Sequence, residues 1–184
     1  MKAFKEILIC TIALTLIAGA VTAALAGTNA LTADTIAART QEAEDAARLQ
    51  VIEADNFTPK TFKDETTEFT YYVAIKNGEE VGMVFTAVAN GKSAGLTVMT
   101  GIDNNGIITG VLITEDNETA GYVDKVVKNG FLDNLKGAKA EEMTLGVDVD
   151  GVSQATKTSK GVLAAVNQAI RRFNQVGGGS SDGQ

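Results

Sequence analysis

The sequence predicts an α+β protein: an N-terminal transmembrane helix and a helical stalk, then a mainly antiparallel sheet packed by helices. Three observations predict it. Residues 7–33 contain no charged side chain. Asn77-Gly78 and Asp103-Asn104-Asn105-Gly106 each lie between runs rich in β-branched and aromatic residues, the pattern of hairpin turns. Val162, Val166, Ile170 and Phe173 recur at helical spacing and form one apolar stripe.

The first element follows from length and charge. A helix needs about 20 residues to cross the hydrocarbon core of a bilayer, and residues 7–26 supply them. Lys2 and Lys5 precede the run, so the positive-inside rule puts the N-terminus in the cytoplasm and the rest of the chain outside. The same residues also resemble a signal peptide with Ala24-Leu25-Ala26 as its cleavage site. The anchor is the preferred reading, and both readings make the globular part extracytoplasmic. Cys10 lies inside the run, where it serves as a small hydrophobe.

Residues 28–52 read as a second, alanine-rich helix with Ile36, Ala43, Ala47 and Val51 near helical spacing, a stalk that extends the anchor. Residues 55–63 hold the one proline, Pro59, and read as the boundary to the domain. Strands are expected at 69–76, 80–89, 96–102 and 107–114, with 145–149 as a further candidate. Two of these carry near-continuous apolar runs, so helices cover part of the sheet. Short helices at 122–129 and 131–135 break at Gly130, and a last helix covers 159–173. The expected organisation is an anchor at 1–27, stalk and linker at 28–63, one domain at 64–176, and a flexible glycine- and serine-rich tail at 177–184.

Composition excludes several functions. The chain has 184 residues, is 45% hydrophobic and 21% charged, and so can bury a real core. Its net charge of −7 and lack of a basic patch exclude nucleic acid as a partner. With no histidine and a single cysteine, imidazole bases, Ser-His-Asp triads, His/Cys zinc sites and an internal disulfide are all excluded. No catalytic or metal-ligating residue is assigned. A strand-borne G-x-G-x-x-G and a cysteine set for an iron–sulfur cluster are both missing, so NAD and clusters belong to other proteins. A pilin-like structural protein shares the layout of apolar helix, alanine-rich continuation and β-domain. The prepilin pattern of a glycine before Phe and a glutamate five residues into the mature helix is missing around residues 4–9.

The segment that carries chemistry is Asp150-Gly151-Val152-Ser153-Gln154-Ala155-Thr156-Lys157-Thr158-Ser159-Lys160. It packs hydroxyls and two lysines into a turn that feeds the last helix. The unpaired N–H groups and partial positive charge of a helix N-terminus favour a phosphate. Lys157 and Lys160 add attraction, and Ser153, Thr158 and Ser159 offer hydroxyl donors. An ordinary N-cap explains the same residues equally well, since serine and threonine are preferred there.

The stretch from Asp150 to Thr156 resembles the flavinylation motif of the covalent FMN-binding domain family, Asp-x-x-Ser/Thr-Gly-Ala-Thr. Over about residues 1–175 the order of anchor, stalk, hairpins, Glu118-Thr119-Ala120-Gly121, Phe131-Leu132 and motif resembles the G subunits of Rnf ion-translocating electron transport complexes. The C subunits of sodium-translocating NADH:quinone oxidoreductases are their relatives. The resemblance implies FMN joined through a phosphothreonine ester to Thr156 by a flavin transferase, with Ser153, Gln154, Ala155, Lys157, Thr158 and Ser159 around it. It implies a redox subunit with no complete active site of its own. That subunit passes electrons among iron–sulfur and flavin partners in a membrane complex that couples ferredoxin:NAD electron transfer to ion transport. A stand-alone extracytoplasmic flavoprotein shuttle is the alternative. Two departures stand out. Gln154 replaces the family's glycine. Glu118-Thr119-Ala120-Gly121-Tyr122-Val123 replaces Glu-Thr-Pro-Gly-Leu-Gly, and Thr119, Gly121 and Tyr122 are the candidates for a flavin-facing loop.

Overall fold

No proline interrupts residues 2–51, and alanine and leucine favour the α-helix throughout. The computed structural model describes residues 2–93 and 95–178. It places one helix there, α1 (Lys2–Val51), where two were expected. A lone glycine at the expected break, Gly27, costs about 1 kcal/mol against alanine, too little to end a helix. The hydroxyls of Thr22, Thr28 and Thr32 donate to the carbonyls four residues earlier, so they stay within the helix. The side chains of Lys2, Lys5, Cys10 and Ile36, and the tail beyond Gly178, lie outside the described residues.

The chain divides into two compact units between Glu44 and Asp45. In the first, Thr11–Thr32 forms a 22-residue apolar stretch with none of it buried. Leu14, Leu16, Ile17 and Leu25 are each more than 60% exposed. Apolar surface on that scale fits a helix seated in hydrocarbon, a membrane anchor.

The second unit is a five-stranded antiparallel meander, ordered β1 (Asn56–Lys63), β2 (Glu68–Lys76), β3 (Glu79–Ala89), β4 (Leu96–Asp103) and β5 (Ile108–Asp116). The four expected strands lie within about two residues of their predicted ends. The linker expectation for residues 55–63 fails, because β1 occupies it. Pro59 is compatible with a strand here because β1 is an edge strand, and an edge tolerates a residue with no N–H to donate. Residues 145–149 are not a strand either. They close a turn through a single Leu145–Val149 bridge, with Gly146 in the left-handed region at φ +83°.

Each face of the sheet buries a core. On one side α2 (Tyr122–Lys128), α3 (Phe131–Leu135) and α4 (Thr156–Gly178) cover Phe69, Phe85, Leu96, Val98, Ile102 and Ile108. The predicted stripe of α4 is its buried face: Val162, Val166 and Ile170 are fully buried, and the Phe173 ring meets Phe85 edge-on. α4 begins three residues earlier than expected and takes in Gly177 and Gly178 of the expected tail.

On the other side, the end of α1 at Val51 and the residues just after it, Ile52 and Ala54, pack against Ala74, Val84 and Met99. Small residues make the seat. A Cβ on Gly101 would lie 2.5 Å from the Val51 carbonyl oxygen, and one on Gly110 would lie 2.8 Å from the Val51 Cα. The Thr109 hydroxyl donates to that same carbonyl oxygen at 2.5 Å, satisfying an acceptor that the helix end leaves open. Arg48 is buried with its guanidinium 3.5 Å from the Tyr72 ring centroid. The domain therefore starts before residue 64, with the end of the expected stalk built into it.

One core polar atom is poorly served. The Thr100 hydroxyl on β4 is fully buried with no hydrogen-bond partner among the described residues. Thr100→Val keeps the shape and removes that desolvation cost, and is expected to raise stability by about 1 kcal/mol in urea unfolding. A loss of stability would show that the hydroxyl is in fact served.

Candidate functional site

The site forms where α4 begins. Val152 and Ala155 are buried and pin the approaching turn to the core. The Ala155 amide donates to the Val152 carbonyl at 3.0 Å. The Ser159 hydroxyl accepts from the Val152 amide at 3.1 Å and donates to the Ala155 carbonyl at 3.2 Å. Between those anchors Gln154 takes φ +63°. The turn therefore leaves Ser153, Gln154, Thr156 and Lys157 exposed. Thr156 opens α4, and its hydroxyl makes one long bond, 3.4 Å to the Val152 carbonyl.

Thr158 and Ser159 are fully buried. The two hydroxyls expected to donate to a phosphate are turned inward in this structure. Their hydroxyls are spent inside, Ser159 on the turn and Thr158 on the Glu118 carboxylate at 3.4 Å. Both hydroxyls help hold the turn and the Glu118 side chain in place.

A cleft of about 270 Å³ opens beside Thr156, lined by Lys92, Tyr122, Gln154, Ala155 and Lys157. Lys92 and Tyr122 arrive on different elements. Lys92 sits in the loop between β3 and β4. Glu118 braces that loop against α4, accepting from the Ser93 amide at 3.1 Å with one oxygen while Thr158 bonds the other. Gly91 and Gly161 let the loop approach the helix backbone: a Cβ on Gly161 would lie 2.7 Å from the Gly91 Cα. Tyr122 opens α2 immediately after Gly121, whose φ of +85° the chain needs to enter that helix. Its amide donates to the Thr119 carbonyl at 3.2 Å.

Of the candidates, the structure brings Thr156, Gln154, Ala155, Lys157 and Tyr122 to one cleft. Ser153 lies beside it on the exposed turn, Thr119 and Gly121 flank Tyr122, and Glu118 stands behind as a brace. Lys92 is the residue that sequence reasoning missed. Its place depends on the β3–β4 hairpin and the glycine contact with α4, and no motif around it signals either.

The site is electropositive on an acidic protein. Lys92 donates to the Tyr122 hydroxyl at 2.7 Å and stands 3.9 Å from its ring centroid, and Lys125 donates to the Gln154 side-chain oxygen at 3.0 Å. The hydrogen bond from Lys92, then its charge, hold the Tyr122 phenol below its ordinary value of 10.0; desolvation opposes this, and Lys125 adds a smaller push downward. Tyr122 is expected to ionise earlier than a free phenol in an NMR titration of ring-labelled tyrosine. Lys92→Met should move it back up, and an unmoved midpoint would contradict the pairing.

These groups suit a phosphate-bearing ligand. There is an exposed hydroxyl to carry an ester, a helix N-terminus with unpaired N–H groups, ammonium groups at the rim, and an aromatic wall.

Comparison with known proteins agrees. Residues 91–171 match the FMN-binding domain family. The chain is 31% identical to the G subunit of the Na(+)-translocating ferredoxin:NAD(+) oxidoreductase complex of Acetobacterium woodii, with 83% of this chain and 84% of that relative aligned. It is 28% identical to the G subunit of the ion-translocating oxidoreductase complex of Aliivibrio fischeri, covering 87% of each. It is 26% identical to the G subunit of the proton-translocating ferredoxin:NAD(+) oxidoreductase complex of Clostridium ljungdahlii, covering 73% of this chain and 74% of the relative. Among solved structures, NqrC of Shewanella oneidensis shares the fold, with a TM-score of 0.50 and 20% identity over 72% of each chain.

Proposed function

Because this chain belongs to the family of G subunits of ion-translocating ferredoxin:NAD(+) oxidoreductase complexes, we propose that it is the complex's electron carrier with FMN esterified to Thr156. The observation that carries the site assignment is the exposed Thr156 hydroxyl on the first turn of α4, in a cleft rimmed by Lys92 and Lys157. Bound FMN supplies one- and two-electron carriage, the redox chemistry that protein side chains lack.

The protein's own residues supply position and charge. The α4 N-terminus and the two rim lysines offset the phosphate's negative charge. Tyr122 offers an aromatic wall. Ser159, Thr158 and Glu118, all turned inward, hold the turn and the Lys92 loop in place. An ester to the chain retains the cofactor on a side of the membrane where free FMN is scarce.

The other subunits of the complex are its electron partners, a flavin transferase its maturation partner, and the bilayer the surroundings of Thr11–Thr32. Lys2 and Lys5 before that span favour a cytoplasmic N-terminus and an extracytoplasmic domain. A denaturing gel under ultraviolet light tests the reading. Chain produced with a flavin transferase should give a fluorescent band, and a dark band would overturn covalent attachment.

A further inference from the structure

We propose that Lys125 is a positioning residue for modification of Thr156, acting by holding Gln154 in the left-handed conformation of the turn that the modifying enzyme must recognise. The inference rests on the reading of Thr156 as the attachment site and adds what presents it.

Two residues other than glycine have positive φ among those described, Asn77 at +54° and Gln154 at +63°. Asn77 needs no explanation. It sits in a hairpin turn before Gly78, and asparagine is enriched in that region of φ. Glutamine is not, because its longer amide forms no compact local bond to compensate the Cβ crowding. Something outside the turn must favour the conformation.

The contact that does so comes from α2. Lys125 Nζ donates to the Gln154 side-chain oxygen at 3.0 Å. Its neighbour Val126 is fully buried, and the carbonyl of Lys125 accepts from both the amide and the side chain of Asn129, at 3.1 and 2.7 Å. The ammonium is therefore presented from an anchored helix. On either side of Gln154 the chain is pinned by buried Val152 and Ala155. Residue 154 is thus the exposed joint between two fixed points, in the turn that leads into Thr156 at the start of α4. A hydrogen bond with a charged donor biases that joint.

The test is a double-mutant cycle on the full chain, read as the rate of flavin attachment by the transferase in a fluorescent-gel time course. Lys125→Met is expected to slow attachment about fivefold, because a smaller fraction of chains holds the competent turn. Lys125→Arg, which keeps a charged donor, should recover most of the rate. Glycine adopts positive φ unaided, so in a Gln154→Gly background the Lys125→Met effect should disappear. A wild-type rate for Lys125→Met overturns the proposal. So does an equal loss in both backgrounds, which would mean general damage to α2.

The unlabelled chain gives an independent measurement. The amide–Hα coupling and Cα shift of Gln154 should report the left-handed conformation in wild type and a mixture in Lys125→Met. Unchanged values overturn the proposal even if no flavin is ever attached, an outcome that would instead remove the Thr156 assignment.

Discussion

Thr156→Ala is expected to abolish the fluorescent band completely while leaving the fold intact. The ester needs an accessible hydroxyl, and the turn offers few substitutes. Thr158 and Ser159 are fully buried and already hydrogen-bonded, so they cannot take over. Ser153 is exposed but lies before Gln154 and outside the cleft lining. The mutation removes one 3.4 Å side-chain bond and an exposed methyl group, which is worth about 0.5 kcal/mol or less at a surface position. Urea unfolding of the unmodified variant should therefore match wild type within that margin. A surviving band would move the attachment point. Mapping the flavin to a peptide by mass spectrometry would then show whether Ser153 had replaced it.

Gly161→Val is expected to cost about 3 kcal/mol of stability, at the upper end of overpacking effects. A Cβ at residue 161 would lie 2.7 Å from the Gly91 Cα, 2.8 Å from the Asn90 carbonyl oxygen and 2.9 Å from the Gly91 amide nitrogen. All three are backbone atoms, so no side chain can swing aside. The opposing term is helix propensity, where valine replacing glycine gains less than about 1 kcal/mol. The clash wins. Its consequence reaches the site, because the displaced loop carries Lys92 and the Ser93 amide that Glu118 holds. Flavin attachment should fall along with stability. Ala164→Val, on an exposed position of the same helix, introduces the same residue without the clash, and its effect should be within about 0.5 kcal/mol. An equal loss from both substitutions would assign the effect to valine in a helix and not to the loop contact.

Much of this architecture was legible because it is local. Asn77-Gly78 and the Asp103–Gly106 turn mark hairpins wherever they occur, and a meander follows when neighbouring strands pair in order. The α4 stripe is periodic, so its buried face could be named in advance. β1 was illegible for an equally physical reason. An edge strand needs neither a complete set of N–H donors nor a strong apolar alternation, and six of its eight residues are exposed. The join of α1 to the sheet was hidden as well, since glycines at 101 and 110 announce a bare backbone but not what will lie against it.

The same division runs through the site. The charge-free anchor, the strands, the amphipathic last helix and the threonine at its start are written in the order of residues, because each depends on neighbours a few positions apart. Which hydroxyls face outward is settled in three dimensions, since Thr156 and Thr158 differ in the direction the helix turns them against the core. The meeting of Lys92, Tyr122 and Thr156 in one cleft is settled there too. Those three come from separate segments, and the sheet, a glycine contact and a carboxylate brace are what bring them together.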